Sequence, residues 1–213
     1  MPAPDPAVVD LLGLVAYGEL LAFDRLAADA RLAPDLRRRA ALSEMAAAGI
    51  THYRWLTDRI TALGATPEDA VAPYADALRA YHDSTEPKDW LEAVTKAYVG
   101  DAITDDFLRE VADGLGGPER ELVLDVLHDT RYVEFAAEIR AGIAADPRVA
   151  DRLSMWARRL LGEALSQAGR VAAADRGALT ALIARRAGTD VPGLFRRLTE
   201  AHTARMTAAG LNN

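Results

Sequence analysis

No cysteine occurs among the 213 residues, which removes disulfides, thiolate nucleophiles and zinc–thiolate sites together. Lysine is scarce and aromatic residues make up only 6%. β-Branched residues never alternate over a run long enough to make a strand. No stretch of about 18 uncharged apolar residues is present. The opening Met1-Pro2-Ala3-Pro4-Asp5-Pro6 lacks the basic and apolar regions of a secretory leader. The expectation is a cytoplasmic protein with no membrane partner. Phosphate-binding glycine loops, a Gly-x-Ser-x-Gly elbow and a His-Glu-x-x-His pair are also missing.

Half of the residues are hydrophobic, enough for a substantial core without covalent staples. The net charge of −7 argues against a nucleic-acid binder, but the charge is unevenly spread. From Pro147 onward eleven arginines face five acids, a net +6, so the first 146 residues carry −13. Two readings stay open: a basic surface for an acidic partner, or a helical pair docking on its own acidic bundle.

Proline and glycine punctuate segments whose apolar spacing is helical nearly throughout. Asp5-Pro6 opens a helix to about Ala30. A second runs from Ala33-Pro34-Asp35 to Leu63 and stops at Gly64. Thr66-Pro67-Glu68 starts a short third, with the threonine hydroxyl as cap, ending near His82. A fourth extends from Ser84–Asp89 to Gly116-Gly117. A fifth runs from Pro118 to Asp146-Pro147, and three more follow. Four long helices with a short one crossing between the second and fourth predict an all-α, ferritin-like four-helix bundle. Residues 1–146 form that bundle, and residues 147–213 are C-terminal helices packed on it in the same domain.

Each long helix turns one polar residue into its apolar stripe. Glu19 lies among Leu12, Val15, Ala16, Leu20, Phe23 and Leu26. His52 lies in line with Leu42, Met45, Gly49, Leu56 and Ile60. Asp101 follows Trp90, Val94, Ala97 and Tyr98, and Asp129 with Tyr132 stands between Val126 and Val133. An unpaired carboxylate is costly to bury, and a bound cation is the simplest common explanation for three acids and one imidazole converging. The competing reading is that each is a satisfied core residue. His82, His128 and His202 lie near helix ends and read as surface or capping residues. The pairs Arg158-Arg159, Arg185-Arg186 and Arg196-Arg197 read as solvated faces, and Glu163 with Gln167 as an exposed pair.

The runs Ala16-Tyr17-Gly18-Glu19-Leu20, Ile50-Thr51-His52-Tyr53, Lys96-Ala97-Tyr98-Val99-Gly100-Asp101 and Gly162-Glu163-Ala164-Leu165-Ser166-Gln167 resemble actinobacterial ferritin-like proteins grouped with the MiaE-like, tRNA-modifying hydroxylases. The likeness covers about residues 7 to 188. It implies a non-haem di-iron carboxylate site, with one Glu from each of two helices and Glu-x-x-His from each of the others. Glu19 matches the first carboxylate, Asp101 stands at the second, His52 matches one imidazole, and Asp129 stands for a Glu. Gly49 and Tyr132 replace the missing Glu and His.

On this basis Glu19, His52, Asp101 and Asp129 are the candidate metal ligands and Tyr132 the candidate catalytic residue. The cofactor is one or two irons, or none. Gly49 is expected to open space for water or a small ligand. Without metal, the acids would share protons with Tyr132, Tyr17 and His52. Two functions follow: an oxygenase or hydroxylase with an incomplete iron site acting on a small molecule or nucleic acid, or a metal-free scaffold binding partners through its basic helices. A homodimer is the assembly expected.

Overall fold

A computed structural model describes residues 5–128, 132–174, 178–185 and 191–212, with backbone only at 132, 133, 172–174, 178, 179, 183 and 191. Every regular element among them is helical. Helix α1 (Pro6–Asp29) begins where Asp5 accepts a hydrogen bond from the Ala7 amide and Pro6 presets the first turn. Helix α2 (Leu36–Ala62) is capped by Asp35, which accepts from Arg38 N at 2.9 Å. The chain leaves it through Gly64 at φ 84°, a backbone state that costs a side chain dearly.

The short third helix predicted over 66–82 is divided. Helix α3 (Pro67–Val71) passes through a 3₁₀ turn at Ala72–Tyr74 into α4 (Ala75–Ser84), because Pro73 has no amide hydrogen to continue the α pattern. Thr66 occupies the cap position, but its hydroxyl makes no capping bond.

The fourth predicted helix forms a continuous run with an irregular centre: α5 (Trp90–Thr95), a π-helical segment (Lys96–Asp101) and α6 (Ala102–Ala112). Its start is doubly capped. Asp89 accepts from Glu92 N, and Glu92 Oε2 accepts from Lys88 N, both at 2.9 Å.

The fifth predicted helix is interrupted. Helix α7 (Gly117–Val126) ends in a turn at Leu127, and α8 (Tyr132–Ala145) starts afresh. No glycine or proline marks this break. The Leu127 carbonyl, freed from the helix, instead accepts from Arg109, and His128 N turns back to Asp125 O.

Helices α1 and α2 form a tight antiparallel pair, with α3 and α4 crossing against α1. Gly13 lets α3 approach: a Cβ there would sit 2.3 Å from the Ala70 carbonyl oxygen. Taken with the following turn, Pro6–Leu32 is long and apolar enough by length and composition to cross a membrane. Half of its most apolar window is nevertheless buried within the bundle.

Helix α9 (Arg148–Ala174) packs on α4, α5, the π segment and α8. Helix α10 (Ala178–Arg185) packs on α1 and α6, and α11 (Val191–Ala208) on α6, the π segment and α9. Four of the eleven C-terminal arginines meet sequence-distant acids of the preceding helices and loops. Arg152 meets Asp89 and Glu92, Arg185 meets Asp5, Arg197 meets Glu110, and Arg205 meets Asp106. Arg158 and Arg159 donate to the Asn212 and Ser84 carbonyls. Of the two readings of the basic tail, self-docking is the one these contacts favour.

Two apolar cores result. One gathers Leu11, Leu12, Val15, Leu56, Ile60, Tyr74, Val111 and Val123. The other gathers Leu42, Trp90, Val94, Ile139, Leu153, Ala157 and Met206. Each fully buried aliphatic side chain contributes about 1.5–3 kcal/mol. Between the cores lies a polar chamber.

Candidate functional site

The chamber has a volume of about 140 Å³. Val15 and Leu108 of one core and Met45 and Ala97 of the other form its apolar walls. Glu19 from α1, His52 from α2 and Asp101 from the π segment all face it, as their places on the stripes led one to expect. Asp129 lies outside the described residues, as does the side chain of Tyr132.

Glu19 and His52 meet directly, His52 Nδ1 lying 3.0 Å from Glu19 Oε2. The imidazole also leans on Trp55, the ring centroids 5.3 Å apart. Tyr17 takes no part in this polar set. Its hydroxyl accepts from Arg79 at 3.2 Å.

Asp101 is half-buried at the chamber wall, and desolvation there raises its carboxyl to about pH 7. Lys96 opposes the rise, while Asp105, Asp29 and Glu19 add to it. Asp105, one turn further along, faces the same space.

Several residues that the sequence reading left aside join the chamber. Lys96 is only 3% exposed. Its Nζ donates to the Thr85 carbonyl at 2.9 Å and lies 5.6 Å from the centre of the Tyr81 ring. Burial pushes its ammonium below the usual lysine range, against the pull of Asp101 and Asp29. The Tyr81 hydroxyl and His82 Nδ1 are buried without a hydrogen-bond partner, and both residues line the chamber. Burial lowers the His82 imidazole to about pH 3 and drives the Tyr81 phenol well above its ordinary value.

Gln167 is buried and lines the chamber too, and Glu163 accepts from the Ser84 hydroxyl at 3.1 Å. The two are therefore not a solvated pair. His202, read as a surface residue, is fully buried with neither ring nitrogen bonded.

Gly49 lines the chamber and also stands at a close helix contact. A Cβ built there would stand 3.0 Å from the Glu19 carbonyl oxygen, 3.4 Å from Phe23 N and 3.7 Å from Glu19 Oε2. The glycine is the contact that lets α1 and α2 close together.

A di-iron pair asks for about four carboxylates and two imidazoles converging from four helices. Among the described residues no three His, Cys, Asp or Glu side chains come together as a metal-holding group. At Gly49, where a bridging Glu would stand, an added Cβ would press on the α1 backbone. A lysine ammonium and Arg25 stand among the acids. The described residues do not fit the pair.

The family described as "Ferritin-like domain, actinomycetes" matches residues 3–186. No curated protein matches the chain.

Proposed function

Because the chain belongs to the actinomycete ferritin-like domain family, we propose that it keeps the ferritin-like bundle as a container for a small organic ligand, with a lysine among the chamber acids where a metal pair would stand. One observation carries this reading: the close approach of α1 to α2 at Gly49, where a side chain in the place of the missing bridging carboxylate would press on the α1 backbone. The charge pattern supports it. An ammonium near Asp101 and Asp29 compensates carboxylates internally, which lessens the drive to recruit a divalent cation. A mostly apolar wall with a few charged and polar side chains is how small-molecule sites are commonly built. No nucleic-acid role is proposed, since the C-terminal arginines named above are engaged within the chain.

A single-iron oxygenase is the second reading, favoured by the Glu19–His52 pair 3.0 Å apart on facing helices. Thermal denaturation with added ligand separates the two. A ligand that binds only the folded form raises the melting temperature in proportion to the logarithm of its concentration over Kd. 1-Butanol, small enough for the chamber, is expected to raise it, and ferrous iron under anaerobic conditions to leave it unchanged. A large rise with ferrous iron and none with the alcohol would reverse the order of the two readings.

A further inference from the structure

Of the chain's 25 cationic side chains, 23 are arginine, and the only lysines are Lys88 and Lys96. Lys88 is exposed, whereas Lys96 is buried. A guanidinium stays charged at any physiological pH, whereas a buried ammonium gives up its proton more readily, and the deprotonated fraction is a nucleophile. The one place in the interior where this arginine-rich chain uses lysine is also a place with access to small molecules. Lys96 lies where the chamber adjoins an outer pocket of about 330 Å³ lined by Arg25, Arg31, Leu32, Glu86 and Pro87. Asp29, Arg25 and His82 share that boundary with it.

The surroundings suit attack on a carbonyl. The bond from Nζ to the Thr85 oxygen holds the amine in place. The Tyr81 ring stands 5.6 Å from Nζ, and the His82 imidazole lines the same space. Ala22, Leu26, Ala93 and Ala97 give the inner wall an aliphatic character, and the chamber's size fits a chain of a few carbons.

We propose that Lys96 is the nucleophile of a carbonyl-binding site and condenses with small aliphatic aldehydes to form an imine. The neutral amine nitrogen adds to the carbonyl carbon, and its displaced proton reaches the oxygen, giving a carbinolamine. Loss of the hydroxyl with the remaining N–H proton leaves the C=N bond and one water, with no oxidant or reductant consumed. The inference rests on the reading of the chamber as an organic-ligand site. A stoichiometric iron pair would end that reading, whereas absence of the adduct would end only the inference.

The test is reductive trapping on the full chain: butyraldehyde with cyanoborohydride near pH 7, followed by peptide mapping by mass spectrometry. Lys88 and the α-amine are internal references in the same molecule, so no variant has to fold. A depressed pKa enlarges the share of free amine at neutral pH. The expected result is a butyl adduct on Lys96 formed several-fold faster than on Lys88. Labelling confined to Lys88 and the α-amine, or equal at both lysines, would overturn the proposal.

Discussion

Gly49→Glu, the change that would supply the bridging carboxylate missing from the di-iron pattern, should destabilise the protein and add no iron. Its Cβ would stand 3.0 Å from the Glu19 carbonyl oxygen and 3.4 Å from Phe23 N, both backbone atoms of α1. Neither can turn aside as a flexible side chain would, so α1 must shift. Overpacking of this kind costs about 1–3 kcal/mol, and a second carboxylate near Glu19 Oε2 adds like-charge repulsion. Gly162→Ala is the matching control. Gly162 lies on α9 with nothing within 4 Å of an added Cβ, and replacing an exposed helical glycine stabilises by about 0.5–1 kcal/mol. Opposite signs in the two melting temperatures are expected. A Gly49→Glu variant as stable as the parent and richer in iron would show that the helix pair yields at this point.

Asp101→Asn should stabilise the protein at pH 7 and above, and the gain should disappear near pH 4. The folded carboxyl keeps its proton to about pH 7, whereas in the unfolded chain it ionises near 3.9. Between these values the folded state holds the extra proton, so its contribution is full below pH 4 and is lost as pH rises to 7. A shift of about three units corresponds to roughly 4 kcal/mol. His82 and His202 act in the opposite sense. Burial holds them neutral down to about pH 3 and about pH 4, so their contribution is lost as pH falls below 6.5. The wild-type curve sums these opposed slopes, and the difference between variant and wild type isolates Asp101. Urea unfolding at pH 4, 5.5 and 7.5 measures it. A difference that does not change with pH would contradict the placement of Asp101 at the chamber wall.

Helical period and turn chemistry were enough to read the all-α class, the crossover and the place of three chamber residues. Glu19, His52 and Asp101 each sat on an apolar stripe, and each lines the chamber. Lys96 was not legible by the same rule. In an α-helix it lies about 140° round from Asp101, off the stripe. The π-helical segment from Lys96 to Asp101 replaces i→i+4 bonding by i→i+5 and turns the register there. The only hint was compositional, one of two lysines inside an apolar run.

The break between α7 and α8 carried no glycine or proline, so periodicity ran through it. What ends α7 is a tertiary contact, the Arg109 guanidinium on the Leu127 carbonyl. His202 was read as a surface or capping residue near a helix end, but it lies midway along α11, whose packing on α6 and α9 buries it. Gly49 shows the limit most plainly. A missing side chain reads as space in a sequence, and only the neighbouring helix shows how close α1 approaches at that point.

The central claim is that this ferritin-like bundle is built around an internal lysine and a closed helix pair instead of a di-iron centre. Metal analysis of protein purified from iron-supplemented cells tests it most directly. The expected result is iron well below a pair per chain, about one ion or less, with no loss of melting temperature after chelation. A tightly held pair of irons in every chain, with stability that falls when they are removed, would contradict it.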